Sequence, residues 1–299
     1  MSMLVVGTVA LDSVQTPAGK VDDVLGGSAS YSAVSASFFT KVKLVSIAGE
    51  DFPEKHLDFF RGRKIDVRGL QLEKGKTFKW SGYYGCDLNN AQTLKTELNL
   101  LSGFSPNLPD EYKQEKFIFL ANIDPLIQMR VLNQINKPKL VICDTMNYWI
   151  TNRREALKDI VRKIDVLVLN DSEAREFAQQ SNLVKAAETL LTLGPRLIII
   201  KRGEYGCLLF SSNFVFSIPA YLLAEVTDPT GAGDTFAGAF LGYLADCAEI
   251  TESSFRKAIV YGTIMSSFIV EDFSLDRLRK LDRTDIEKRF SEFQQMTSF

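Results

Sequence analysis

The residue types that could do chemistry gather most densely in Asp228-Pro229-Thr230-Gly231-Ala232-Gly233-Asp234, which runs into a stretch rich in small residues. Gly231 and Gly233 can take backbone angles closed to other residues, so successive N–H groups can turn toward one point. A helix starting here adds its unpaired first amides and the positive end of its dipole, and together these form an anion site. A carboxylate at Asp234 would repel an anion held only for binding. It has a purpose if it takes a proton from a hydroxyl that then attacks phosphorus. Amides for a transferring phosphoryl group and a base for its acceptor are two parts of a phosphotransferase. A bare Gly-x-Gly-Asp is equally well explained as a glycine-rich turn with Asp234 as an N-cap, so the assignment depends on the longer string and its companions.

Those companions sit where short apolar runs end. Asp12 follows the first run, and a carboxylate there faces the crevice in which α/β proteins bind ligands; a turn aspartate is the alternative. Gly26-Gly27-Ser28 opens a small-residue helix, where bare backbone would let a flat polyol approach, or where Ser28 simply caps the helix. Asn122 ends another run and is a candidate substrate contact. Asn170-Asp171-Ser172-Glu173 pairs an amide with a carboxylate, enough for Mg²⁺, which keeps several waters and uses few protein ligands; helix capping by Asn170 is the competing reading. Lys201 precedes Gly203 and Gly206, a turn over which a nucleotide could lie with Lys201 at its phosphates. Asp144 and Asn147 border the same crevice without an assignable role. Gly75-Lys76-Thr77 is not a phosphate loop: the required earlier glycine is Leu70, and β-like sequence follows instead of a helix.

Short runs dense in Val, Ile and Leu at 4–9, 43–48, 117–121, 140–143, 166–169 and 197–200 read as buried parallel strands. Helix-period stretches at 28–39, 125–134, 154–163, 172–180 and 184–193 lie between them. This alternation predicts a doubly wound α/β sheet. The runs 207–210 and 214–217 read as an edge hairpin, and the chain from Asp234 onward as mostly helical. From 76 to 101 aromatic and polar residues alternate, which predicts antiparallel strands. With 13–24 they are expected to form a small β lid over the sheet's carboxyl edge, with Phe78, Trp80 and Tyr83 over the substrate.

Composition narrows the function classes. The 299 residues can bury one large α/β core, and one domain over 1–299 is expected. Net charge is −2, so no basic footprint suggests a nucleic-acid partner. No apolar run reaches the roughly 20 residues of a membrane span, and the N-terminus lacks the marks of a signal peptide. Four scattered cysteines fit reduced thiols, pointing to the cytoplasm. His56 is the one histidine, in a helical-looking stretch, which sets aside Ser-His-Asp, Cys-His and histidine-based metal chemistry.

In this order along the chain, the Gly26-Gly27 element, Asn170-x-x-Glu173, the Lys201-x-Gly203-x-x-Gly206 turn and the 228–234 string resemble the ribokinase-like (PfkB-type) carbohydrate kinases over essentially the whole sequence. The resemblance implies a three-layer α/β/α sandwich with a mostly parallel central sheet and a small β lid. It implies transfer of the γ-phosphoryl group of ATP, with Mg²⁺, to a hydroxyl of a small sugar, expected to be a primary alcohol. Asp234 would be the base, with the amides of Gly231, Ala232 and Gly233 as the anion hole. Asp12, Gly26, Gly27, Ser28 and Asn122 would contact substrate. Asn170, Glu173, Lys201, Gly203, Gly206 and Thr230 would serve ATP, Asn170 and Glu173 ordering water around Mg²⁺. Asp228 and Thr230 match part of a monovalent-cation site, which makes K⁺ a second candidate ion. Ser28 and Ala10 depart from the lysine and asparagine of ribokinases proper, on the sugar side. A nucleoside kinase is the alternative within the family, and a sugar- or nucleotide-binding regulator the alternative outside catalysis; an intact Asp234 argues against the latter. The lid is also a candidate homodimer contact.

Overall fold

Strands whose side chains are apolar on both faces must be covered on both faces, and the computed structural model, which describes residues 1–298, shows how this is done. In chain order the strands are β1 (Ser2–Val6), β2 (Ala10–Thr16), β3 (Gly19–Gly26), β4 (Lys41–Gly49), β5 (Ile65–Glu73), β6 (Phe78–Tyr84), β7 (Ala91–Glu97), β8 (Phe117–Leu120), β9 (Leu140–Asp144), β10 (Val166–Asn170), β11 (Leu197–Lys201), β12 (Cys207–Phe210) and β13 (Val215–Ile218). Nine form one sheet, ordered β13-β12-β11-β10-β9-β8-β1-β4-β5. Pairing is parallel from β11 to β5, and β12 and β13 add an antiparallel edge hairpin.

Alternate residues of each central strand enter separate cores. Met3, Val5, Phe117 and Phe119 pack with helices Ser28–Ala36, Ala232–Asp246 and Glu252–Ile269. Leu4, Val6, Ile118 and Leu120 pack on the other face with helices Pro125–Leu132, Arg154–Val161, Asp171–Ala178 and Leu183–Leu191. The result is the expected α/β/α layering. β5 was not foreseen: its charged residues, Asp66, Arg68 and Glu73, and its half-exposed pattern carry no clean period.

A second sheet, β3-β2-β6-β7, grows from the carboxyl edge of the first. It contains most of the segments 13–24 and 76–101. Its two hairpin-like pairs are antiparallel as expected, but β2 and β6 meet in parallel. That register aligns Ala10 with Phe78 and Asp12 with Trp80, so these side chains share one face. Tyr83 falls on the opposite face and Tyr84 on the same one, which reverses the expectation for Tyr83. Gly75-Lys76-Thr77 forms the joint below this sheet. Thr77 is fully buried, its hydroxyl and amide both donating to Asp51 Oδ1 at 2.7 Å.

Helices Ser28–Ala36 and Ala232–Asp246 meet almost backbone to backbone. A Cβ on Gly238 would lie 2.7 Å from Ser32 Cα, and one on Gly242 would lie 3.0 Å from Ala36 Cα. The Ser35 hydroxyl donates to the Thr235 carbonyl at 2.7 Å across the same seam. Any side chain at Gly238 must push the helices apart, so Gly238→Val is expected to destabilise by about 1–3 kcal/mol or more. Thermal unfolding of the pure variant measures this; an unchanged Tm would show that the seam yields without cost.

Candidate active site

Asn122, Asp144, Asn170 and Lys201 stand at or just beyond the carboxyl ends of strands of the large sheet, with Asn170 directly in register with Lys201, while Asp12 lies within β2 of the second sheet. The second sheet stands over the same edge.

The first turn of helix Ala232–Asp246 is set by Gly231, left-handed at φ +76°. A Cβ there would overlap the ring of Tyr31, so glycine is required both by conformation and by space. The Ala232 amide, expected to face a ligand, donates instead to the Pro229 carbonyl at 3.2 Å. The Gly231, Gly233 and Asp234 amides have no backbone acceptor among the described residues. The free donors thus differ from the expected set in one member, Asp234 replacing Ala232 and supplying an amide as well as a carboxylate.

Asp234 is half-buried. Burial is the main cause that pushes its carboxyl up to about 7, the Asp144 charge adds to the rise, and Lys201 works against it. Lys201 Nζ pairs with Asp144 Oδ2 at 2.9 Å, and Asp144 Oδ1 accepts the Thr145 amide at 2.8 Å. The ammonium also lies against the loop: a Cβ on Gly233 would sit 2.8 Å from it. Burial alone would lower the Lys201 pKa, but Asp144 and Glu173 more than offset it and keep the group charged. Asp144, which sequence reasoning left unassigned, therefore holds the cation beside the free amides. Its signal was its place at a strand end.

Asn170 and Glu173 form a reciprocal helix cap. Asn170 Oδ1 accepts the Glu173 amide, and Glu173 Oε2 accepts the Asn170 amide, both at 2.8 Å. Asn170 Nδ2 and Glu173 Oε1 have no protein partner among the described residues. Burial raises the Glu173 carboxyl to about 7, opposed by Lys201. No group of three or more His, Cys, Asp or Glu among the described residues is arranged to hold a metal ion directly.

Asp12 is 3% exposed. Its Oδ2 accepts the Gly27 amide at 3.3 Å, while Oδ1 is buried with no partner. The glycine pair is explained by these neighbours: a Cβ on Gly26 would overlap the Asp12 carboxylate, and one on Gly27, at φ +92°, the Thr8 carbonyl. Ser28 does not cap the helix. Its buried hydroxyl accepts the Thr8 amide at 3.1 Å and donates to the Asn122 carbonyl at 2.9 Å, so it is turned away from the cleft. The Asn122 side chain is likewise occupied, by Trp149 and Met146.

Asp228 is buried, its Oδ1 accepting the Thr230 amide at 2.9 Å and its Oδ2 the Ser274 amide at 3.3 Å. This ties the loop to the chain after helix Glu252–Ile269. Two tyrosines missed in the sequence complete the site. Tyr31 lies under Gly231 with a buried, unpartnered hydroxyl, and Tyr84 Oη accepts the Thr230 hydroxyl at 3.3 Å. Tyr31 could have been noticed as the one large residue among the serines and alanines at 28–36. At the other end, Gly203 (φ +53°) and Gly206 (φ +85°) shape the turn after β11, and Asn89 of the β6–β7 loop donates to Glu204 at 3.3 Å.

Residues 3–278 match the family model described as pfkB family carbohydrate kinase. The chain belongs to the PfkB family. Among its relatives, the cytidine kinase of Thermococcus kodakarensis is 32% identical over 250 residues, covering 81% of this chain and 88% of that protein. The inositol 3-kinase of Arabidopsis thaliana is 22% identical and covers 96% and 80%. The solved structure of Methanocaldococcus jannaschii nucleoside kinase superposes with a TM-score of 0.75 at 19% identity, covering 97% of this chain and 98% of that one. The fold is the ribokinase-like one, and the chain is an ATP-dependent phosphotransferase of the sugar or nucleoside kinase class. No helix among the described residues is long and apolar enough to cross a membrane.

Two expectations follow for this PfkB kinase. With Asp12 raised to about 7 from 3.8, mainly by burial and further by Asp228 and Asp234, the folded state binds a proton that the unfolded state releases. Its penalty therefore grows as pH rises through roughly 4 to 7. Asp12→Asn should raise the Tm at pH 8 and leave it nearly unchanged at pH 4, as followed by circular dichroism; a loss of Tm at pH 8 would contradict a buried charge. Asp144→Asn removes a negative neighbour of Asp234 and frees the Lys201 charge, and both changes lower the Asp234 pKa. The acid limb of kcat/KM should move to lower pH, and an unmoved limb would sever Asp234 from the observed titration.

Proposed function

We propose that this chain transfers the γ-phosphoryl group of ATP to a primary hydroxyl of a small sugar-containing acceptor, with Asp234 as the base. One observation carries the reading: a carboxylate raised to about 7 stands in the first turn of a helix whose Gly233 and Asp234 amides are free, with the Lys201 ammonium beside them. A base must be unprotonated to act yet basic enough to accept a proton, and a value near neutrality meets both needs.

In this reading Asp234 orients the acceptor hydroxyl and takes its proton as the oxygen bonds to the γ-phosphorus and the bond from that phosphorus to the β-phosphate oxygen breaks, with ADP leaving. The amides of Gly231, Gly233 and Asp234 stabilise charge on the transferring group, and Lys201 supports it with its positive charge. Asp12 accepts hydrogen bonds from acceptor hydroxyls through Oδ1. Thr230 and the turn at Gly203 and Gly206 lie along ATP. Mg²⁺ would screen the phosphate charges and align them when bound. The free atoms of Asn170 and Glu173 suit its water shell better than direct ligation, in keeping with the absence of a three-carboxylate cage. Asp228 and the loop it fixes are the candidate surroundings for K⁺. β2 and β6 act as a lid that excludes water, limiting ATP hydrolysis. The lid sheet also ends on β7, exposed along nearly its whole length, an edge suited to pairing with a second copy.

Asp234→Asn should keep the fold and ATP binding and lower kcat by about 10²–10⁴ in a coupled ATP-consumption assay over sugars and nucleosides. Turnover close to that of the unmodified protein would remove Asp234 as the base.

A further inference from the structure

Gln128 is buried, 1% exposed, in helix Pro125–Leu132, whose Ile127 and Val131 enter the apolar core on that side of the sheet. A carboxamide in such a place is costly unless its groups are bonded. Gln128 Nε2 lies 3.3 Å from the Leu120 carbonyl, 3.0 Å from that of Ala121 and 3.1 Å from that of Asp144. Its Oε1 accepts the Cys143 thiol at 3.5 Å. Three carbonyls around one atom identify it as the amino end, whose two hydrogens are shared among them.

These carbonyls mark a fork. β8 and β9 run in parallel register as far as Leu120 and Cys143 and then part, one toward Asn122 and the other toward Thr145. Ala121 is tied in turn to β1, its amide donating to the Val6 carbonyl at 2.8 Å. Gln128 therefore fastens the end of β9 to the centre of the sheet. That matters because Asp144 must reach far with a short side chain. Asp144 is opposite Val168 on β10, and Val168 is opposite Ile199 on β11, so Lys201 stands two strands away and two residues further along. Two strand spacings are roughly 9–10 Å. An aspartate has one methylene, so the 2.9 Å bridge from Lys201 Nζ to Asp144 Oδ2 forms only where the Asp144 backbone is held. Its carbonyl is held by Gln128, and its Oδ1 by the Thr145 amide at 2.8 Å.

Building on the kinase reading above, we infer that Gln128 is a positioning residue for phosphoryl transfer, fixing the end of β9 so that Asp144 holds the Lys201 ammonium against the amide turn at 231–234. It is buried beneath the cleft and acts through Asp144.

The test has one arm that needs no turnover. With lysine carrying ¹³C at Cε, and Lys201 assigned through Lys201→Arg, NMR follows the ionisation of Lys201 in the unmodified protein, Asp144→Asn and Gln128→Met. The methionine keeps the volume of Gln128 and removes its amino donors. Burial lowers the Lys201 pKa and Asp144 opposes it, so the ammonium should lose its proton at lower pH in Asp144→Asn, and in Gln128→Met as well. In the second arm, kcat for ATP-dependent phosphorylation is measured per folded protein for Gln128→Met, Asp144→Ala and the double variant. Gln128→Met should lower kcat about 10–10²-fold, the effect of a displaced supporting group, and should add nothing further once Asp144 is alanine. If Gln128→Met does not fold, Gln128→Asn, whose shorter amide cannot span both strand ends, replaces it in both arms. A Lys201 titration unmoved by the Gln128 substitution, or a kcat loss that multiplies that of Asp144→Ala, overturns the inference and leaves the kinase reading standing. If the unmodified protein phosphorylates no sugar or nucleoside, the kinase reading fails, and the Lys201 titration by itself decides whether Gln128 positions Asp144.

Discussion

The close approach of helices Ser28–Ala36 and Ala232–Asp246 is the constraint on which the site depends. One helix follows the glycine pair beside Asp12, and the other carries Asp234 and the free amides in its first turn. Gly238 over Ser32 and Gly242 over Ala36 leave no room for side chains between them, and small-residue seams of this kind do not slide. The buried Asp12 and the free amides of the 231–234 turn are held at a constant separation by this contact. The Ser266 hydroxyl, donating to the Ala232 carbonyl at 2.8 Å, extends the same bracing to the helix behind.

A second constraint is electrostatic. Asp12, Asp144, Glu173, Asp228 and Asp234 share the site with a single lysine, and Asp12, Glu173 and Asp234 are each raised to about 7, with burial as the leading cause. Such crowding costs stability and is seldom kept for stability's sake. Asp12 Oδ1 and Tyr31 Oη, two of the buried side-chain atoms left without partners, are of the same kind, because buried polar atoms without partners ordinarily find them in water or in a ligand. The folded chain is organised to receive something with hydroxyls at one end and negative charge at the other. The Asp144–Lys201 pair holds the ammonium against the amide loop, while burial is the leading cause that raises the Asp234 carboxyl to about 7.

Much of this was legible beforehand because it follows from local rules. Strand runs at 117–121, 140–143, 166–169 and 197–200 were readable because burial on both faces leaves unbroken apolar sequence, and they fall within a residue of the strands formed. The 228–234 string was readable because only glycine permits the backbone that gathers amides. Asn170 and Glu173 illustrate a limit: the spacing that places an amide and a carboxylate together is also that of a helix cap, and the chain uses both atoms of that cap while leaving one free atom on each residue. β5 escaped notice because edge strands with charged faces carry no period.

The sequence by itself determined the kind of reaction and the layer architecture, since backbone freedom at glycine, apolar alternation and the order of the polar strand ends are properties of short segments. Only the tertiary structure decided which groups are free to act. Ser28 and Asn122 were equal candidates with their neighbours until long-range contacts occupied them, while a local turn to Pro229 took up the Ala232 amide, and Asp144, Tyr31 and Tyr84 became part of the site through partners far away in the chain. Alternation within β6 puts Tyr84, not Tyr83, on the face of Phe78 and Trp80; that this face is shared with Asp12 depended on the parallel register with β2. Hydrogen-bond capacity is finite, and whether an atom has any left depends on every element packed around it.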